Sequence, residues 1–298
     1  MKTEIKMPFV SIISVNYNTD EVTVELLRAL RCLTYPNVEV IIVDNASAAD
    51  ASYLAAQFSE IVFIQNEINE GFAGGNNRGI ERAKGDIILL LNNDTEVAPN
   101  FLEPIIELFL SNEKIGIISP KIHYYHSEGI IQYAGGMPIN SFTARGKFIG
   151  AGEEDKGQHD VPRETSLAHG AAMAIHRKVL DKIGLLPEMY FLYYEELDFC
   201  KHAQRAGFKI WYQPRSLVFH KESMSVGKNS LIKVYYQNRN RFLFISRNIF
   251  GIRGWISRLF FVFIATPVIT LKYLFKRRPD FANEVYKALV WNLRHTKI

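Results

Sequence analysis

The chain holds only two cysteines in 298 residues, Cys32 and Cys200, with no CxxC spacing. Neither a zinc knuckle nor a disulfide framework can be built from them, and a reducing compartment is expected. Its eleven prolines and nineteen glycines form no collagen-like or low-complexity run, and no repeat recurs at solenoid or propeller periods, which excludes those architectures. The segment from Met1 to Pro8 has no apolar signal-peptide core, so the expected location is cytoplasmic. Two nucleotide signatures are missing as well. Without a GxGxxG after the first strand or a GxxxxGK[ST] lysine loop, hydride transfer and nucleotide hydrolysis both lose support.

What is present is an apolar fraction of 48% beside 22% charged residues, enough for one large α/β domain with an appendage. The net charge of +4 conceals an asymmetry. Residues 228–298 carry 14 Lys/Arg against 2 Asp/Glu, and residues 1–227 carry 21 against 29. The basic tail also contains Trp255 and the run Leu259 to Ile264, which suits an anionic membrane surface better than nucleic acid. Its charge-free stretch, Leu259 to Leu271, is 13 residues long and contains Pro267. As a helix it would reach roughly 20 Å against a hydrocarbon core of about 30 Å, so an interfacial helix is expected rather than a span.

Apolar runs at Phe9 to Val15, Val38 to Val43, Ile61 to Ile64 and Ile87 to Leu91 read as strands covered on both faces. Stretches at Glu21 to Leu33, Asp50 to Phe58 and Ala73 to Ala83 read as the helices between them. Residues 120–165 are glycine-rich and irregular. Regular structure resumes at Ala168 to Ile175, with helices from Arg177 and over Glu195 to Ala206, a short strand at Leu217 to Phe219, and helices over the last 70 residues.

Ligands of open α/β sheets bind at the carboxyl ends of the strands, and here every such end is polar. Asn16 and Asn18 follow the first run, Asp44 the second, Asn66 the third, and Asn92-Asn93-Asp94 the fourth. Any one of these is explained as a helix cap or Asx-turn; four in register point to a nucleoside, ribose and phosphate. The glycine-rich Gly71 to Gly79 brings Asn76 and Asn77 close to such a ligand. Asp94, ending a buried run, calls for a positive partner such as a divalent cation. His220, after a strand, is the second candidate ligand. Glu195, Glu196 and Asp198 open a helix beside the aromatic wall of Tyr190, Phe191, Tyr193 and Tyr194, a setting that raises a carboxyl towards the range of a general base.

Seven segments in this order resemble the inverting nucleotide-sugar glycosyltransferases of family 2, in the rhamnosyltransferase-like branch. They are Val10 to Asn18, Val43 to Ser47, Asn69 to Gly79, Leu91 to Thr95, Gly170 to Met173, Phe191 to Cys200 and Val218 to His220. The resemblance implies a GT-A fold: a nucleotide-binding sheet flanked by helices, with a C-terminal basic, apolar helical extension. Its expected parts are a donor half at about 1–119, an acceptor half at 120–227, and a membrane-proximal segment at 228–298. Asn16, Asn18, Asp44, Asn76, Asn77 and Asn93 are the expected donor contacts. Asp94 takes the last place of the DxD motif, and His220 joins it on Mn2+ or Mg2+. Asn92 stands where that motif begins with aspartate. Glu196 matches the base position, where aspartate is frequent, so Glu195 and Asp198 are carried as further candidates.

The implied reaction moves a sugar, first choice rhamnose from dTDP-rhamnose, to a glycan or polyprenyl-diphosphate-linked acceptor of bacterial surface polysaccharide, at the inner membrane face. A UDP-hexose or UDP-galactofuranose donor is the alternative within the family. Outside it stand a non-catalytic nucleotide-sugar-binding protein and a nucleotidyltransferase; the latter would need a glycine- and lysine-rich loop where this chain has Asn16 to Asp20.

Overall fold

The computed structural model describes residues 7–222 and 230–295. Four parallel strands build one half of the sheet: β1 (Val10–Asn16), β2 (Val38–Asp44), β3 (Val62–Gln65) and β4 (Ile87–Leu91). Between them run α1 (Asp20–Leu30), α2 (Tyr53–Gln57) and α3 (Gly71–Arg82). The expected strands and helices of the first hundred residues are all present, with no end shifted by more than three residues. Then follow β5 (Thr95–Val97), α4 (Glu103–Ser111), β6 (Ile115–Tyr124), β7 (Ile131–Tyr133), β8 (Arg163–Thr165), β9 (Ala172–His176), α5 (Arg177–Ile183), α6 (Glu195–Arg205) and β10 (Lys209–His220).

The strand order is β3-β2-β1-β4-β9-β6-β10-β5, with β7 on β6 and β8 on β10. Strand β9 is antiparallel to both β4 and β6 and so joins the parallel half to the rest. The expected division at 119/120 runs through the middle of β6, and the sheet continues unbroken across it. The division at 227/228 lies outside the described residues.

Strand β10 is twelve residues long where only Leu217 to Phe219 had looked like strand. Its register on β6 shifts between Gln213 and Leu217. An irregularity there accommodates Pro214, which cannot donate to a regular ladder. Gln213 and Ser216 are buried because Gln213 Nε2 donates to Pro104 O at 2.8 Å and Ser216 Oγ to Phe101 O at 2.6 Å.

The C-terminal residues form α7 (Leu231–Asn248), α8 (Gly251–Phe260), a π-helical segment (Phe261–Ala265), α9 (Thr266–Phe275) and α10 (Pro279–His295). This unit shares the main core. Phe242, Phe244, Ile245 and Phe261 cluster with Ile13, Ile88 and Ile175 of the sheet.

The expectation that the apolar tail is too short to span is corrected. Residues 251–275 form one continuous helical stretch of 25 residues with a mean hydropathy of 1.7 in its most apolar window, long and apolar enough to cross a bilayer. Arg258 and Lys272 do not end it, since long basic side chains turn their charges outward while the backbone stays helical. Pro267 does not break it either: it comes just after the π-helical turn Phe261–Ala265, the kind of local widening by which a helix accommodates a proline. One stripe of this helix, Gly254, Ser257, Phe261, Ala265 and Thr266, is buried. Its other face is open.

Helix α3 lies so close to β1 that a Cβ on Gly79 would meet Ile13 Cγ2 at 2.4 Å. Gly79→Ala should therefore cost about 1–3 kcal/mol through overpacking. Urea unfolding measures this directly; an unchanged midpoint would mean that the helix can shift without loss.

Candidate active site

The parallel register sets Asn16 opposite Asp44 and Asp44 opposite Gln65, so the three strand ends meet at one rim. Asp44 is fully buried, which requires hydrogen bonds to its charged form. It accepts from Asn16 Nδ2 at 2.7 Å, Ser47 Oγ at 2.6 Å, Ser47 N at 3.0 Å and Gln65 Nε2 at 2.6 Å. Asn18, at φ 55°, accepts from Ala48 N at 2.7 Å and holds the neighbouring loop. Asn93 Nδ2 donates to Thr19 and Thr23 at 2.8 and 2.9 Å, and Thr23 Oγ1 donates to Asn16 Oδ1 at 2.8 Å. Asn16, Asn18, Asp44 and Asn93 thus belong to one network across three strand ends.

The other two amides lie elsewhere. Asn76 donates to Phe72 O within its own helix at 2.8 Å. Asn77 bridges to the segment before α6, giving Nδ2 to Leu186 O and Glu188 Oε1 and accepting from Leu186 N. Its amide is spent on joining α3 to that segment.

Asp94 and His220 come together, with Asp94 Oδ1 and His220 Nε2 3.1 Å apart and both residues buried. His220 Nδ1 lies 2.9 Å from Gln132 Oε1. An acceptor on that side assigns the proton to Nδ1 and aims the Nε2 lone pair at the carboxylate, an arrangement satisfied by a second proton or by a cation shared between them. One carboxylate and one imidazole fit Mn2+ or Mg2+ when diphosphate oxygens and water complete the shell. Among the described residues, no group of three or more His, Cys, Asp or Glu could hold a metal without such help.

Gln132 and His169 complete the surroundings and had not been singled out. A lone glutamine inside the buried run Ile131-Gln132-Tyr133 is the signal for the first. The signal for the second is a histidine directly before the Gly170 segment. The rings of His169 and His220 are 6.0 Å apart, edge to face, and His169 Nδ1 accepts from Ala171 N at 3.0 Å. Desolvation, then the charge of His220, push its pKa down to about 3, so it stands neutral with its other nitrogen carrying the proton.

The adjacent residue borders the other carboxyl group. A Cβ on Gly170 would lie 3.8 Å from Glu196 Cγ and 3.9 Å from its carboxyl carbon. His169 therefore packs against His220 of the Asp94–His220 pair, and Gly170 leaves open beside Glu196 the space a Cβ would fill to van der Waals contact. Glu195 and Glu196 each have an oxygen, Oε2, with no hydrogen-bond partner among the described residues. Desolvation raises both pKa values, Glu195 well above the ordinary 4.5, with the neighbouring charge of Glu196 adding to it. Asp198 is set apart. Two residues on, it lies roughly 200° around the helix from Glu196 and is bound by Arg247, 3.2 Å away, and by Asn248 Nδ2. It joins α6 to α7.

The turn leading into the pair is strained. Phe191, Tyr193 and Tyr194 have φ of 63°, 70° and 78°, each costing on the order of 1–3 kcal/mol. Gly71, at φ 73°, allows α3 to begin against this turn, because a Cβ there would meet Phe191 O at 2.2 Å.

A family profile described as Glycosyl transferase family 2 matches residues 11–184. The chain is similar to the low-salt glycan biosynthesis hexosyltransferase Agl10 of Haloferax volcanii, at 32% identity over 252 residues covering 81% of this chain and 76% of that protein. It is also similar to the N-acetylglucosaminyl-diphospho-decaprenol L-rhamnosyltransferase of Mycobacterium tuberculosis, at 20% identity covering 79% of this chain and 83% of that protein. Among solved structures, the mannosyltransferase PcManGT of Pyrobaculum calidifontis in complex with GDP-Man and Mn2+ superposes with a TM-score of 0.60 at 15% identity, over 99% of this chain and 77% of that one. S. aureus TarS in complex with UDP does so with a TM-score of 0.59 at 17% identity, over 94% and 80%. These likenesses are of fold.

The raised carboxyl pair has a consequence for stability. A carboxyl with a higher pKa when folded binds more protons folded than unfolded, so its contribution is intact below the unfolded value and is lost as pH rises through the folded one. Glu195→Gln should raise the urea midpoint at pH 8 and leave it unchanged at pH 4. Equal midpoints at both pH values would show that Glu195 is not strained by its burial.

Proposed function

Since the chain belongs to glycosyl transferase family 2 and is a nucleotide-sugar glycosyltransferase of GT-A fold, we propose that it transfers a hexose-type sugar, with inversion, to a hydroxyl of a glycan or polyprenyl-diphosphate-linked acceptor. The observation that carries this reading is that one short segment borders both groups: the His169 ring lies edge to face with His220, and Gly170 is separated from Glu196 by the space of one Cβ. It puts a candidate site for the leaving diphosphate and a candidate base on two sides of one short segment. Rhamnose from dTDP-rhamnose is the donor we put first, supported by the likeness to a rhamnosyltransferase. A UDP-hexose is the second reading, supported by the likeness to a hexosyltransferase.

In this mechanism the nucleoside diphosphate lies across the rim of Asn16, Asn18, Asp44 and Asn93. Glu196, its pKa raised by burial, takes the proton of the acceptor hydroxyl. The hydroxyl oxygen forms the new bond to the anomeric carbon as the bond to the diphosphate breaks on the opposite face, so the electron pair leaves with the diphosphate. Asp94 and His220 would hold a divalent cation, which supplies neutralisation of the charge growing on that leaving group. Gln132 keeps the His220 ring in place.

Glu196→Gln should lower turnover by about 10²–10⁴-fold with the donor KM little changed. A panel of dTDP-rhamnose, UDP-glucose, UDP-N-acetylglucosamine, UDP-galactofuranose and GDP-mannose, with and without Mn2+, reads release of nucleoside diphosphate. Full turnover by the variant moves the base elsewhere, and equal rates in EDTA remove Asp94 and His220 from a metal role.

The enzyme, in this reading, works at the inner face of the cell membrane. The open face of the helix over 251–275 presents Ile252, Trp255, Leu259, Phe263, Leu271 and Phe275, from 49% to 86% exposed. No acidic residue occurs from 251 to 279, and Arg253, Arg258, Lys272, Lys276 and Arg277 lie on or just after this helix. A helix docked by one stripe on its own domain lies along a bilayer with the opposite stripe in the headgroup region. Replacing Phe263 and Phe275 together by glutamate should abolish flotation with phosphatidylglycerol-containing vesicles and leave donor hydrolysis intact; undiminished flotation argues against the contact.

A further inference from the structure

The strained turn before Glu195 is held from outside, by the C-terminal helices. Its own backbone supplies Phe191 N to Glu188 O at 3.0 Å and Leu192 N to Tyr190 O at 2.7 Å. Helix α7 supplies the rest. Asn240 Nδ2 is shared among three carbonyls, those of Tyr190, Leu192 and Tyr193, at 2.8, 2.7 and 2.8 Å. Arg239 Nη2 donates to Met189 O and Tyr190 O at 2.6 and 2.7 Å.

Both donors are themselves fixed. Asn240 is fully buried. The Arg239 guanidinium lies 4.7 Å from the Tyr236 ring and 4.6 Å from the Trp291 ring, and Asn292 Nδ2 of α10 donates to Arg239 O at 3.0 Å. On the opposite side, Phe72 N of α3 donates to Phe191 O at 2.7 Å. The turn is thus clamped between the donor half of the sheet and the C-terminal bundle, and three non-glycine residues in the left-handed region persist because both sides hold them.

We propose that Arg239 and Asn240 are positioning residues for the general base: through the carbonyls of residues 189–193 they set the direction in which the first turn of α6 presents Glu196. The proposal rests on reading Glu196 as that base. Neither side chain is assigned a contact with substrate. The basic C-terminal segment is then a support of the catalytic turn as well as the carrier of the open apolar helix face.

The test is a double-mutant cycle with Asn240→Leu, Glu196→Gln and the double variant. It follows nucleoside diphosphate release, with water as acceptor, from the donor of the panel that the wild type turns over. Asn240→Leu should lower kcat about 50-fold or more with a donor KM within about threefold of wild type, and the double variant should be no slower than Glu196→Gln alone, because both changes remove one function. A kcat for Asn240→Leu near that of wild type, or losses that multiply in the double variant, overturns the proposal. Full turnover by Glu196→Gln overturns the base assignment and the proposal with it, so the two failures are told apart.

Should Asn240→Leu not fold, Arg239→Lys takes its place. It keeps the charge and the stem but loses the planar fork, and about a tenfold fall in kcat with the same non-additivity is expected. Independently of any donor, 13C-carboxyl NMR should show the Glu195–Glu196 pair titrating nearer to ordinary glutamate in the Arg239 or Asn240 variant. An unmoved titration counts against the clamp.

Discussion

The hydrogen bond from Asn16 Nδ2 to Asp44 Oδ1, 2.7 Å long between two fully buried side chains, is the constraint on which the parallel half of the sheet turns. A carboxylate without water must be surrounded by donors or it does not stay charged. Asp44 gathers them from β1, from β3 and from its own following loop, so the charge is stabilised only when three separate segments are in register. Parallel pairing places Asn16 opposite Asp44 and Asp44 opposite Gln65. The chain from Asn16 through Thr23 to Asn93 extends the same order to the end of β4, one residue short of Asp94. The sheet register and the polar rim are in this sense one object.

The carboxyl pair at the start of α6 is held differently. It follows a turn with unfavourable dihedrals, and among the described residues each carboxyl keeps an oxygen without a hydrogen-bond partner. Where Asp44 is ringed by hydrogen-bond donors, Glu195 and Glu196 are pushed by desolvation towards the neutral form. A carboxylate ringed by donors at the sheet rim and a carboxyl pair raised by burial on α6 are the two environments expected where one group binds and another exchanges a proton near neutrality.

Much of this was legible in the residues, and the exceptions have physical causes. Strands β1 to β4 are near-continuous apolar runs, because parallel strands covered on both faces leave little place for polar side chains. Most of β10 was hidden because its polar residues are satisfied by α4 and its proline sits where the pairing register shifts. Asp198 looked equivalent to its neighbours until helical geometry turned it to the far face. Gln132 and His169 act on His220 from β7 and from the segment before β9, remote in the sequence, so only the folded sheet brings them beside it.

The C-terminal segment shows most plainly how charge counting and geometry differ. Its +12 balance marks it as distinct from the acidic body, and on that arithmetic it looked like an appendage. Yet Arg239, Arg241 and Arg247 point inward, to the carbonyls of Met189 and Tyr190, to Thr143 O and to Asp198. Among the described residues, Arg253 of the helix over 251–275 has no such inner partner, and the side chain of Arg258 returns to Gly254 O of its own helix at 3.2 Å. Burying a guanidinium is tolerated where its fork meets carbonyls or carboxylates and its faces meet rings, and α7 meets that condition along its length. One basic segment therefore divides by depth: its first helix ties the catalytic turn to the core, and the next carries its cations to the surface beside an open apolar stripe.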